Sequence, residues 1–338
     1  MEKIIDHGEV KAQLLYGYDV LEGLSLLDDE SVDCIVTSPP YWGLRNYEDN
    51  DRQIGSESSP EDFVATLVDA FSAARRVLRS GGTLWLNLGD TYAGKAGGYN
   101  PKYEKPEVQE QSSGMMGSGG KKYREKRDWT PHETLKPKDL CGIPWRVALA
   151  LQADGWWLRN DIIWQKPSPM PSPAQDRCTV AHEYIFLLTK SSSYNFYPDA
   201  VRTPLAEATL ADPRRHLRKT KKERYGGDAS CPSGFTGANP NGANIRTVWK
   251  LKPNSYQGDH FAVFPEELPE RCIKAGTQPG DTVLDLFSGS ATTGKAALRL
   301  GRNYIGVDVN ESYLDMAARR VSLIHSDVVK DEDQLEMF

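Results

Sequence analysis

The chain has 338 residues, with 41 Lys and Arg against 47 Asp and Glu for a net charge of −6, and 39% of its residues are hydrophobic. That balance is ordinary for a globular protein and excludes a fibrous or intrinsically disordered chain; the length allows one large domain with insertions. No apolar run approaches the length needed to cross a bilayer, and the first twenty residues lack the pattern of a secretion signal, so a cytoplasmic protein without a membrane partner is expected.

The first convincing element in chain order is a strand in SVDCIVTSPPYW (31–42), where Val32, Cys34, Ile35 and Val36 run into Pro39-Pro40. Neither proline has an N–H and each restricts the residue before it, so the strand ends there in a rigid turn. Residues 61–79 carry helical apolar spacing through Phe63, Leu67, Ala70, Phe71, Ala74 and Leu78, and the helix is expected to stop at Gly81-Gly82 before a strand TLWLNLG. From Asp90 to Pro137 the sequence is rich in Gly, Ser, Lys and Tyr without a sustained period, which reads as a long loop or insertion. A helix and strand follow in IPWRVALALQADGWWLRNDIIWQKP, and another strand in HEYIFLLTKS (182–191).

Residues 200–258 are again polar and irregular. Helix (266–275), strand (282–287), helix (291–300), strand (303–308) and helix (311–324) then lead to an acidic tail. Helices alternating with short apolar strands indicate an α/β fold with helices on both faces of the sheet. The five cysteines, Cys34, Cys141, Cys178, Cys231 and Cys272, include no CxxC pair, and Cys178 with His182 is too small a ligand set, so neither a disulfide framework nor a metal site is expected.

Charge is uneven. KKYREKR (121–127) holds five basic residues against one acid, and RRHLRKTKKER (214–224) holds seven against one. Either is a solvated face or a surface for phosphates.

In DTVLDLFSGSATTGKAALRLGRNYIGVDVN a strand leads through Gly289 and small residues into a helix, and the next strand ends in Asp308. Free backbone N–H groups and the absence of large side chains would let a ligand approach the turn, and an acid about twenty residues past the glycines is placed as a ribose-binding carboxylate in dinucleotide folds, which implies a nucleoside. The string nearly spells a phosphate-binding P-loop, but Ala296 stands where that motif needs a hydroxyl. In Thr-Ser-Pro-Pro-Tyr-Trp, the Ser38 hydroxyl and rigid carbonyls could accept hydrogen bonds from an NH₂ group, and Tyr41 offers a face for a base. The alternative is a proline-stiffened strand end with an aromatic plug.

These residues resemble the β-class amino-methyltransferases of DNA, whose catalytic [D/N/S]PP[Y/F/W] motif precedes the cofactor motif. The resemblance covers most of the chain and implies one Rossmann-like S-adenosylmethionine-dependent methyltransferase sheet in permuted motif order. It implies a catalytic half over 1–191 with a loop insertion at 94–136, a target-recognition region over 192–258, a cofactor half over 259–326 and the acidic tail 327–338. Ser38, Pro39, Pro40 and Tyr41 match the catalytic motif. Asp19, Phe264, Glu266, Asp285, Phe287, Ser288, Gly289, Ser290, Thr292, Thr293 and Asp308 match cofactor positions, and LRNDIIWQKP and HEYIFLLTKS are similar to the family's strands around the target base. Trp42, assisting Tyr41 at the base, and Arg214, Arg215, Arg218, Lys219, Lys221 and Lys222 in the recognition region are the DNA-binding candidates.

The implied reaction is in-line methyl transfer from S-adenosyl-L-methionine to N4 of cytosine, after the base is flipped out of duplex DNA. Serine before Pro-Pro resembles the N4-cytosine group; N6 of adenine is the enzymatic alternative, and a non-catalytic DNA-binding protein of the same fold is the alternative outside enzymes. Double-stranded DNA is the implied partner, with room for a homodimer and for a cognate restriction endonuclease acting on the same site.

Overall fold

A computed structural model describes residues 1–43, 54–93, 134–169, 171–205, 241–253 and 264–326. The basic runs at 121–127 and 214–224, most of the expected loop insertion and recognition region, and the acidic tail lie outside the described residues.

The chain opens with two strands the apolar pattern did not announce, β1 (Glu2–Asp6) and β2 (Lys11–Tyr16), paired antiparallel around Gly8 at φ 87°. β1 is an edge strand with Glu2, Lys3 and Asp6 along it, charges that discourage pairing with another chain. A short helix α1 (Val20–Ser25) follows, then β3 (Val32–Thr37), buried along its whole length and ending directly before Ser38-Pro39-Pro40. Helix α2 (Pro60–Val77) begins where Ser59 accepts a hydrogen bond from the Asp62 N–H and Pro60 takes the first helical turn, and its buried face is Phe63, Leu67, Ala70, Phe71, Ala74 and Val77.

Gly81-Gly82 does not terminate this helix. The helix ends at Val77, and strand β4 (Leu78–Leu88) starts at once and carries both glycines inside it. The register with β3 explains their presence: β3 advances from Val32 to Cys34 while β4 advances from Leu78 to Thr83, so the extra residues must bulge. A Cβ on Gly82 would stand 2.6 Å from Leu78 Cδ1 and 2.9 Å from the Asp33 carbonyl, so only glycine fits the bulge.

Helix α3 (Ile143–Ala153), strands β5 (Trp157–Gln165), β6 (His182–Thr189) and β7 (Val248–Lys250), helix α4 (Glu267–Gly276), strand β8 (Thr282–Asp285), helix α5 (Thr292–Arg299), strand β9 (Asn303–Asp308) and helix α6 (Leu314–Ser322) complete the described chain. Among the described residues nine strands form one sheet in the order β1-β2-β9-β8-β3-β4-β6-β5-β7. The strands from β2 to β4 are parallel; β6 runs antiparallel to both β4 and β5. Parallel strands buried on both faces need helices on both sides. The apolar residues of α1, α2 and α3 cover one face in a cluster with Ile35, Leu84, Leu86 and Phe186, and those of α4, α5 and α6 cover the other with Val36, Trp85, Leu187 and Val283. No helix among the described residues is long and apolar enough to cross a membrane.

Candidate active site

Consecutive strands place the site. From β3 the chain crosses by way of α2 to β4 on one side, and from β8 by way of α5 to β9 on the other, so the direction of winding reverses between the neighbours β3 and β8. In an open parallel sheet the crevice for ligands opens at the carboxyl ends of the strands at such a reversal. Two hydroxyls tie its floor to one buried acid. Thr37 Oγ1, at the end of β3, donates to Asp285 Oδ1 at 2.7 Å, Thr293 Oγ1, in the first turn of α5, donates to Oδ2 at 2.7 Å, and the Phe287 N–H donates at 3.1 Å. Burial pushes the Asp285 carboxyl up from its ordinary range and the three donors oppose that shift. Asp285 therefore joins the two halves of the crevice instead of facing a ligand.

Beside it, Gly289 and Ala291 both take left-handed backbone, at φ 50° and 58°, to turn the chain from β8 into α5. A Cβ on Gly289 would meet nothing within 4 Å, so the turn borders open space. Three of the backbone donors there are already used: the N–H groups of Ser288, Gly289 and Ala291 donate to Val307 O, Asp308 Oδ2 and Ser288 O. Arg320 of α6 holds the same turn through the Ser290 carbonyl at 3.1 Å, the Ser290 hydroxyl, and the Thr292 hydroxyl at 3.3 Å.

Asp308, at the end of β9, accepts from Gly289 N at 2.7 Å through Oδ2 and from Asn310 N at 2.9 Å through Oδ1. Each oxygen keeps a lone pair, which is the acceptor set a vicinal diol requires. Burial drives this carboxyl up to about 6 against the pull of the two backbone donors, with the Asp285 charge adding to the rise.

The other wall is the Ser38–Tyr41 turn. Ser38 Oγ donates to Asn87 Oδ1 at 3.2 Å, and Tyr41 Oη donates to Glu183 Oε2 at 2.6 Å with Asn87 Oδ1 at 3.4 Å. Asn87 Nδ2 faces the Tyr184 carbonyl at 3.0 Å and Glu183 Oε2 at 3.3 Å. Both partners accept only, which fixes the amide: its nitrogen must face them and its oxygen must face Ser38. The single hydroxyl proton of Ser38 is thereby committed to Asn87, which leaves Ser38 Oγ with lone pairs to accept. Lys166, in an ion pair with Glu183 and 4.7 Å from the centre of the Trp164 ring, balances the carboxylate charge.

Asn87, Glu183 and Lys166 were not singled out in the sequence, because they come from β4, the start of β6 and the residue just after β5 and meet only through strand pairing, Leu88 opposite Tyr184 and Trp164 opposite Glu183. The available signal was an asparagine in the apolar run LWLNLG, since a polar residue in a buried strand needs a partner.

Other expected site residues take varied places. Trp42 is not at the base: it is buried in the core on the α2 side, its indole N–H donating to the Glu57 carbonyl at 3.0 Å. Asp19 caps α1, accepting from Glu22 N at 2.9 Å while Glu22 reaches back to Asp19 N. Glu266 pairs with Lys295 at 3.0 Å and Arg299 at 2.7 Å, tying α4 to α5; burial raises its carboxyl, and those two cations outweigh it, leaving it below the usual range. That pairing also occupies the lysine a P-loop would need for phosphate. Phe264 packs against the α4–α6 core and Phe287 against the opposite one. Arg214, Arg215, Arg218, Lys219, Lys221 and Lys222 lie outside the described residues. Asp90, two residues past Leu88, is a substitute cap for α3, accepting from Gly142 N and Ile143 N at 3.1 Å each.

The Tyr41 ring lies against Gly89, where a Cβ would come within 2.5 Å of Cε2. Gly89→Ala should therefore displace Tyr41 and lower the turnover of the site on the order of 10²-fold, as displacements near 1 Å do. Steady-state kinetics beside a thermal melt separates this from unfolding; an unchanged turnover would remove Tyr41 from the site.

A family model described as DNA methylase matches residues 32–319. The chain is 42% identical to the Type II methyltransferase M.SmaI of Serratia marcescens over 303 residues, 90% of this chain and 88% of that one. It is also 42% identical to the Type II methyltransferase M.Cfr9I of Citrobacter freundii, covering 95% of this chain and 92% of the relative. Among solved structures, the fold matches PvuII DNA methyltransferase, described as cytosine-N4-specific, at a TM-score of 0.55 and 18% identity, over 94% of this chain and 93% of that one. It matches the Thermus thermophilus protein TTHA0409 complexed with S-adenosyl-L-methionine at 0.54 and 23% identity, over 93% of this chain and 94% of that one.

Proposed function

Since the chain belongs to the DNA methylase family of N6/N4 amino-methyltransferases, we propose that it transfers a methyl group from S-adenosyl-L-methionine to N4 of cytosine in duplex DNA. The observation that carries this reading is the polarity of Ser38, a hydroxyl with its proton spent on Asn87 and its lone pairs left to accept, in a fold that also presents a diol acceptor, Asp308, at the end of β9.

The cofactor's fit rests on that diol acceptor and on the open space at Gly289. S-adenosylmethionine, when bound, supplies a methyl group on a sulfonium, already activated for transfer. Asp308 would hold the ribose hydroxyls. An exocyclic amine is a poor nucleophile because its lone pair is delocalised into the ring; Ser38 Oγ and a carbonyl of the Ser38-Pro39-Pro40 turn, accepting its two N–H bonds, favour that pair on nitrogen. Tyr41, with its hydroxyl held by Glu183, is the stacking surface for a base that must leave the duplex to reach the crevice. As the N–CH3 bond forms and the S–CH3 bond breaks, S-adenosylhomocysteine would be left and the methylated nitrogen would release one proton to solvent; positioning supplies most of the acceleration, and no nucleophilic side chain is required. The segment 192–258, with its basic run, is the proposed target-recognition region, and Arg214 to Lys222 its phosphate contacts. The Type II designation of the relatives supports a cognate restriction endonuclease as partner, with DNA in the cytoplasm as the substrate.

Cytosine is preferred over adenine because serine, not aspartate, precedes Pro39-Pro40. Incubation with mixed-sequence duplex DNA and methyl-labelled S-adenosylmethionine, followed by nucleoside digestion and mass spectrometry, should yield labelled N4-methylcytosine. Labelled N6-methyladenine instead would overturn the choice of base, and an unlabelled digest would overturn the activity.

A further inference from the structure

Three hydroxyls buried behind the Gly289 turn have no part in the site as described. Tyr16 at the end of β2 and Tyr304 on β9 are both 0% exposed, and Ser288 lies between them. Tyr16 Oη is 2.7 Å from Ser288 Oγ, Ser288 Oγ is 2.7 Å from Tyr304 Oη, and Tyr16 Oη donates to the Gly289 carbonyl at 2.9 Å.

Each hydroxyl has one proton, so the direction of the chain can be counted out. The Tyr16 proton is on the Gly289 carbonyl. The bond between Tyr16 and Ser288 must then use the Ser288 proton, and the bond between Ser288 and Tyr304 must use the Tyr304 proton. Burial raises both phenols well above their ordinary values, which keeps those protons in place. The chain runs one way, from Tyr304 to Ser288 to Tyr16 to Gly289.

Two glycines make room for it. A Cβ on Gly306 would stand 2.7 Å from both Ser288 Oγ and Tyr304 Oη, and one on Gly294 would stand 2.5 Å from Tyr304 Cε1. Gly294 is thus packed against a tyrosine ring.

The far end of the chain meets the diol acceptor. Gly289 gives its N–H to Asp308 Oδ2 and takes the Tyr16 proton on its carbonyl, so the peptides on both sides of its left-handed Cα are fixed. We propose that Tyr304, Ser288 and Tyr16 are positioning residues that set cofactor affinity by holding the Gly289 turn and, through it, the Asp308 carboxylate; this rests on the assignment of Asp308 and the turn to S-adenosylmethionine. Tyr16 and Tyr304 act without touching the ligand, because neither has exposed surface.

The test is calorimetric binding of S-adenosylmethionine and of S-adenosylhomocysteine to the full chain carrying Tyr16→Phe, Tyr304→Phe, Ser288→Ala, or Tyr16→Phe with Ser288→Ala, each checked for folding by thermal melting. Tyr16→Phe should weaken binding about tenfold, the effect of one buried hydrogen bond. Tyr304→Phe, which leaves the bond to Gly289 in place, should weaken it less, and the double variant no more than Tyr16→Phe alone, because the residues act in series. The KM for cofactor should rise while the KM for DNA stays put. Unchanged affinity in a folded Tyr16→Phe protein, or losses that add in the double variant, would overturn the proposal; should Tyr16→Phe not fold, unchanged affinity in both Tyr304→Phe and Ser288→Ala would do the same. Absence of binding by the unaltered protein would instead overturn the cofactor assignment beneath it.

Discussion

Replacing Ser38 and Tyr41 together by alanine should lower methyl transfer by on the order of 10³-fold or more, while the affinity for S-adenosylmethionine stays within about twofold. The size follows from what is removed. In the proposed reaction Ser38 would be the side-chain acceptor for the amine and Tyr41 the surface that holds the base, so the variant would lose both an electrostatic contact that strengthens as nitrogen becomes positive and the alignment of the attack. Cofactor affinity is spared because the Gly289 turn and Asp308 are built on β8 and β9, and the link between side chains across the floor of the crevice, Thr37 to Asp285, is untouched. Single-turnover transfer to duplex DNA beside calorimetric cofactor binding reads the two quantities separately. Loss of cofactor binding in the folded variant would mean that the two walls are not independent.

Asp308→Ala should do the reverse. A hydrogen bond to a charged acceptor is worth about 1.5–3 kcal/mol, so losing two of them should weaken cofactor binding by on the order of 10²- to 10⁴-fold, with turnover at saturating cofactor far less affected. The same residue makes a pH prediction. Its carboxyl is raised to about 6 by burial, so in the empty protein it takes up a proton as pH falls through 6 and loses acceptor capacity; affinity for the ribose should fall steadily below that pH and be flat above it. The sign for stability is opposite. The folded value lies above the unfolded one near 3.8, so the penalty of a desolvated carboxylate is fully present above pH 6 and is relieved as pH drops toward 4. Binding that weakened with rising pH between 5 and 8 would contradict the acceptor role.

Much of this arrangement was legible in the sequence because it follows from local rules. The Pro39-Pro40 pair had to end β3, the small residues after Asp285 had to turn the chain, and Asp308 had to end a strand. What escaped depended on pairing between distant segments. β1 and β2 carry too many charged and polar residues to stand out, yet β2 supplies Tyr16 beside Asp308 through its register with β9. Gly81-Gly82 looks like a helix stop from composition, and only the mismatch between β3 and β4 reveals a bulge. Trp42 next to Tyr41 reads as a second base-stacking ring, but rotation of the chain after the double proline sends it into the core. The network of Asn87, Glu183 and Lys166 needed three strands in register before its hydrogen bonds could be counted.

The most direct test of the central claim, that base and cofactor meet in the crevice between β3 and β8, is the structure of the protein with S-adenosylhomocysteine and a duplex that it methylates. A cytosine should lie outside the helix with its amino group against Ser38 Oγ and its ring on Tyr41, and the ribose hydroxyls of the cofactor product on Asp308. A target base still stacked in the duplex, or a ribose bound away from Asp308, would contradict it.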